Sequence, residues 1–142
     1  MRPPQHVRNS VRGQAGTCHL ASRFHAGRRP QTRRGGAIAV VRESTERELL
    51  GWIEAGERRI IVFGHTPFCG TCRVARRMLE VVEQMNPEID IYALDLNFAP
   101  EFIQKYRVRS TPSLSVFEPG TRGEPRTAYA MQSVPYLLDF IG

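Results

Sequence analysis

Cys69 and Cys72 stand two residues apart behind the apolar run Ile60-Ile61-Val62-Phe63 and the loop Gly64-His65-Thr66-Pro67-Phe68. A pair with this spacing supports two chemistries: a dithiol that cycles with a disulfide, or half of a zinc site. The flanking elements bear on the choice. Ile60–Phe63 reads as a strand covered on both faces. From Cys72 onward, Val74, Met78, Val81, Val82 and Met85 fall at helical spacing and predict a helix that buries those residues. Arg73, Arg76, Arg77, Glu80 and Glu83 are left for its other faces. Cys69 then opens the helix, where unpaired amides and the helix dipole favour a thiolate. Cys72 lies one turn further in, within reach of a disulfide. The second half of a zinc site must come from Cys18, His19, His25 or His65, and these offer no second pair at ligand spacing. No metal or other cofactor is expected.

The rest of the chain supplies the elements that position this pair. Ala37–Val41 is a short apolar run suited to an edge strand. Thr45 with Glu48 forms a capping-box pattern ahead of a helix that buries Leu49, Leu50, Trp52 and Ile53 and stops at Gly56. Asn86-Pro87 ends the helix that Cys69 opens. Ile89–Leu96 predicts a strand with Ile89, Ile91 and Ala93 on one face. Asn97 then caps a short helix running to Tyr106. Leu114–Phe117 and Arg126–Ala130 are the last strands, and Glu118-Pro119-Gly120 starts the connection between them. Ser133 caps a final helix with Pro135 in its first turn, facing the sheet through Leu137, Leu138, Phe140 and Ile141. Tyr92 and Trp52 read as core. The alternation of strands and helices makes the class α/β.

Charge divides the chain. Residues 1–36 hold eight arginines and no Asp or Glu; the other twelve Lys and Arg and all fourteen Asp and Glu lie in residues 37–142, which carry a net −2. The basic leader 1–36 lacks the apolar content to join a core and is expected to be disordered. Its composition is compatible with a phosphate-binding arm, a transit segment or a start codon set too early. Residues 37–142 form one domain. No apolar run reaches the length of a secretory core or a membrane span. With only three cysteines, these features favour the cytoplasm. A monomer with no membrane association is expected, and nucleic-acid binding by the leader is only a weaker reading.

Two motifs carry a family resemblance over residues 37–142. One is Cys69-Gly70-Thr71-Cys72. The other is Ser110-Thr111-Pro112-Ser113, whose proline lies forty residues after Cys72 and just ahead of a strand. Their order, spacing and context resemble the thioredoxin family. The βαβαβ, then ββα, element order resembles it as well. The resemblance implies a thioredoxin-like fold, with a central mixed sheet flanked by helices, and a cis Thr111–Pro112 bond packed against the cysteines. It implies a thiol–disulfide oxidoreductase in which Cys69 is the nucleophile, Cys72 resolves the mixed disulfide, and Cys69–Cys72 is the redox-active disulfide. The resemblance also implies a substrate-binding surface made of Phe68, Gly70, Thr71, Thr111 and Pro112. The implied partners are disulfide-containing proteins and a thioredoxin-reductase-like or low-molecular-weight thiol reductant.

Three departures from the family pattern bear on mechanism. Thr71 replaces the usual proline and restores an N–H able to donate to a thiolate. Arg77 stands where a proline usually kinks the helix. Phe63 occupies the place of the buried aspartate that takes the proton of the resolving thiol. His65, on the following loop, could substitute, although a histidine on a loop is more often simply solvated; otherwise the proton goes to solvent. A second reading follows from the Phe63 departure: a redox-sensing or interaction protein with the same fold and poor turnover.

Overall fold

The computed structural model describes residues 41–121 and 123–142. The expected disordered leader, and most of the expected strand at Ala37–Val41, lie outside the described residues. The elements run β1 (Arg42–Glu43), α1 (Glu46–Ala55), β2 (Ile60–His65), α2 (Gly70–Met85), β3 (Ile91–Asp95), a 3-10 turn (Leu96–Phe98), α3 (Pro100–Tyr106), β4 (Ser113–Phe117), β5 (Arg126–Ala128) and α4 (Val134–Ile141). The sheet order is β1-β3-β2-β4-β5. β1, β3 and β2 are parallel, while β4 runs antiparallel to both β2 and β5.

Alternation along the strands builds two cores. Ile61 and Phe63 of β2, Ile91 and Ala93 of β3, and Leu114 and Val116 of β4 face α2 and α4. Ile60, Val62, Tyr92, Leu94 and Phe117 face α1 and α3. A central sheet buried on both faces accounts for the continuous apolar run of β2. Arg59 ties the end of α4 to the sheet: its guanidinium donates to the carbonyls of Ile141 (3.2 Å) and Gly142 (3.0 Å) and bonds Glu118 (2.9 Å). Those carbonyls lack partners within the helix.

Local signals explain most boundaries. Thr45 Oγ1 accepts the Glu48 amide while the Glu48 carboxylate accepts the Thr45 amide (3.0 Å), which starts α1. Gly56, at φ 61°, ends it in the left-handed region. Ser133 Oγ accepts the Tyr136 amide at the start of α4.

The structure corrects four expectations. α2 buries Cys72, Ala75, Leu79 and Val82, and Glu83 lies on that side as well. Val74 (59 % exposed), Val81 and Met85 (63 %) face outward. The large apolar residues suggested a face rotated away from the one that packs. The sheet-facing stripe uses the small Cys72 and Ala75, which let the helix approach closely. Glu83 is buried because its carboxylate accepts the Ile91 amide at the entry to β3 (2.8 Å). The helix after β3 is capped at Ala99. Asn97 lies inside the preceding 3-10 turn, which Asp95 caps by accepting the Asn97 amide (3.0 Å). Lastly, β2 continues through Gly64 and His65, paired with Leu94 and Asp95 of β3. His65 is therefore a strand residue.

Gly64 permits the close approach of β2 to its cover. A Cβ there collides with Ser113 Oγ and lies 3.1 and 3.3 Å from the two Leu96 methyl carbons. Gly64→Ala is expected to lower stability by about 1–3 kcal/mol through overpacking, read as a lower urea midpoint at unchanged slope.

Candidate active site

β2 delivers the chain to the surface at His65. Thr66, Pro67 and Phe68 turn it, and α2 begins at Gly70 with Cys69 as its N-cap. Cys69 and Cys72 are joined as a disulfide with Cα atoms 5.2 Å apart. Cys69 is partly exposed and Cys72 is 3 % exposed. Cys69 Sγ accepts the Cys72 amide (3.2 Å), contacts Thr71 Oγ1 (3.2 Å) and faces the Thr111 hydroxyl at 3.9 Å. Thr71 thus reaches the sulfur through its hydroxyl, and the backbone donor comes from Cys72. A sulfur receiving a helix-start amide sits where negative charge is favoured.

The Thr111–Pro112 peptide is cis. It precedes β4, whose first residue Ser113 pairs with Gly64 of β2. The sheet register therefore carries Thr111 to Cys69 across forty-two positions of sequence. Phe68, at 98 % exposure, stands free beside Cys69. Gly70 is exposed at the first helical position. The seven residues singled out in the sequence lie on two neighbouring segments at one end of the sheet.

Phe63 is fully buried, in the cluster that holds Cys72, Ala75 and Leu79. Beside it opens a cleft of about 190 Å³, lined among others by Phe63, His65, Pro67, Cys72, Arg73 and Arg76. The His65 ring stacks on Phe63 (centroids 5.5 Å, planes 14° apart). Its Nε2 lies 3.3 Å from Glu43 Oε2. Glu43 also pairs with Arg76, whose guanidinium sits 5.9 Å from the Phe63 ring centre. The sequence did not announce this Glu43–His65–Arg76 group. Its members lie on three elements, and only the β1–β3–β2 order brings them together.

Titration is perturbed on the α1/α3 side of the sheet. Lys105 is raised above its ordinary range, first by its bond to Glu54 (2.8 Å). Burial pushes the Tyr106 phenol up.

The thioredoxin family profile matches residues 40–140. The chain belongs to the thioredoxin family. Among relatives, it is 38 % identical over 81 residues to the thioredoxin-like protein YusE of Bacillus subtilis, covering 57 % of this chain and 74 % of that protein. It is 29 % identical over 66 residues to thioredoxin-1 of Saccharomyces cerevisiae, covering 46 % and 64 %. A mutant thioredoxin from Halobacterium salinarum superposes with a TM-score of 0.62 at 16 % identity, over 76 % of this chain and 93 % of that one. That likeness establishes the thioredoxin-like fold. Membership of the thioredoxin family supports thiol–disulfide oxidoreductase chemistry at the family level. Among the described residues, no helix is long and apolar enough to cross a membrane.

Proposed function

We propose that this member of the thioredoxin family reduces disulfides in protein substrates through Cys69 and Cys72. The observation that carries the reading is the environment of Cys69: a partly exposed N-cap sulfur that accepts the Cys72 amide, with Thr111 and cis-Pro112 beside it. In the reduced protein, the Cys69 thiolate attacks a substrate disulfide. A Cys69–substrate bond forms, and one substrate sulfur leaves as a thiolate that takes a proton from solvent. Cys72 then loses its proton and attacks Cys69 Sγ. The mixed disulfide breaks, the second substrate sulfur leaves, and the Cys69–Cys72 disulfide remains. Two electrons pass from the dithiol to the substrate.

Phe68 offers apolar contact to the substrate beside the nucleophile. Gly70 leaves the helix start open. The backbone at Thr111 and Pro112 lies at the end of β4, placed to pair with an extended segment of the substrate. A thioredoxin-reductase-like protein or a small thiol returns the disulfide to the dithiol. The protein acts as a cytoplasmic monomer, without cofactor, membrane or nucleic acid.

One observation favours the second reading, a redox sensor with slow turnover: the aromatic Phe63 beneath Cys72 offers no proton acceptor. An insulin-reduction assay supplied with excess dithiol separates the two. The oxidoreductase reading expects multiple turnovers per protein and precipitation of the insulin B chain well ahead of the protein-free control. A single turnover followed by arrest contradicts it and favours the sensor.

A further inference from the structure

Resolution of the mixed disulfide needs Cys72 as a thiolate, and Cys72 is 3 % exposed. Bulk solvent has little access to the sulfur, so the step calls for a neighbouring proton acceptor. Among the described residues, the ionisable groups lining its cleft besides Cys72 are His65, Arg73 and Arg76. The two guanidiniums stay protonated and cannot accept. Of these three side chains, only the imidazole has a ring nitrogen that can accept a proton.

We propose that His65 is the proton acceptor for Cys72, with Glu43 holding the imidazole in the accepting tautomer. This deepens the oxidoreductase reading and rests on it. His65 is held on several sides. Its ring lies flat on Phe63 (5.5 Å, 14°), its side chain is 13 % exposed, and its Nε2 faces Glu43 (3.3 Å). Donation from Nε2–H to the carboxylate leaves Nδ1 as the acceptor. Glu43 is fixed in turn by Arg76 of α2, the helix that carries Cys72. Phe63 is thus the platform that orients the acceptor.

The charged and titratable groups around His65 are Glu43 from β1, Asp95 paired beside it on β3, and Arg73, Arg76 and Cys72 from α2. Asp95 is engaged with the Asn97 amide. The proton of the Cys72 thiol passes to the imidazole, directly or through a water in the cleft. The Cys72 thiolate attacks Cys69 Sγ, and the imidazolium then releases the proton to the departing substrate thiolate or to solvent. The electron balance is that of the proposed cycle.

The test follows one turnover by rapid mixing. The reduced protein meets a peptide disulfide that carries a fluorophore and a quencher on opposite sides of the bond. Quenching by acid and alkylation count the mixed disulfide. At pH 7, His65→Ala is expected to form it within about twofold of the parent rate. It is expected to resolve it at least about tenfold more slowly, a modest share of what a positioned base contributes. The deficit should close toward pH 9, as hydroxide and the thiol's own ionisation take over. Added imidazole should restore the rate in proportion to its free-base fraction. Glu43→Gln should slow the same step less, because the imidazole keeps its place but loses the carboxylate that strengthens it as a base. His65→Gln, which keeps volume and polarity, guards against a folding defect and should be slow without it.

Equal resolution by the parent and both His65 variants across pH 6–9 overturns the proposal. So does a slowing that is the same at every pH and blind to imidazole, which marks a structural role. Failure of the parent to form any mixed disulfide is a different result: it removes the oxidoreductase reading, and this proposal with it.

Discussion

Cys69→Ser is expected to reduce protein-disulfide turnover to the rate of the protein-free control. Of the two residues, Cys69 is the more exposed, and it occupies the N-cap of a 16-residue helix. It accepts the Cys72 amide at 3.2 Å, a contact that strengthens as the sulfur becomes charged. Cys72 is buried in the first helical turn, in the cluster that holds Phe63, Ala75 and Leu79, and exposes only 3 % of its surface. A serine hydroxyl keeps the cap and the fold, so the variant should melt within a few degrees of the reduced parent while turnover is lost. Turnover that survives Cys69→Ser and vanishes in Cys72→Ser reverses the assignment.

Phe63→Ala is expected to be among the most damaging core substitutions, costing about 3–5 kcal/mol. That is a large share of the roughly 5–15 kcal/mol that holds a domain of this kind folded. Phe63 is fully buried on the central strand, paired with Ala93 on one side and Leu114 on the other. Ala93 is too small to fill the space the ring leaves. The ring also supports His65 by stacking and lies under Arg76. Its loss therefore loosens the cleft beside Cys72 as well as the core. Urea unfolding at neutral pH measures the first effect. A midpoint within experimental error of the parent means that the site collapses around the alanine and that the ring is not a structural platform.

Much of this architecture was legible in the chain because its signals are local. Thr45 with Glu48, Gly56, Ser133 with Pro135, and the apolar run from Ile60 each concern residues a few positions apart. They act through backbone donors and left-handed turns that do not depend on the rest of the fold. The failures were of another kind. The packed face of α2, made of Cys72, Ala75, Leu79 and Val82, is rotated from the expected set Val74, Met78, Val81, Val82 and Met85. A helix lying close to a sheet presents its small residues, here Cys72 and Ala75, and leaves Val74 and Met85 outside. Glu83 looked like a surface carboxylate because its partner, the Ile91 amide, belongs to the next strand.

The site divides in the same way. The dithiol and the Thr111-Pro112 pair were visible as motifs, since each is contiguous. The Glu43–His65–Arg76 group was not, because its contacts span twenty-two and thirty-three positions and exist only when β1 pairs with β3 and α2 packs over β2. The sequence alone puts His65 on a loop, with no fixed partner. Its membership of β2, opposite Asp95, gives it a fixed place.

The most direct test of the account is the fate of Cys72→Ser in the presence of a protein disulfide. The purified variant is mixed with oxidised insulin, alkylated, and measured by intact mass and peptide mapping under non-reducing conditions. With the resolving thiol gone and the nucleophile intact, the account predicts one covalent adduct per chain, linked through Cys69 and released by dithiol. An adduct through Cys18, or no adduct while the parent protein turns over insulin, contradicts it.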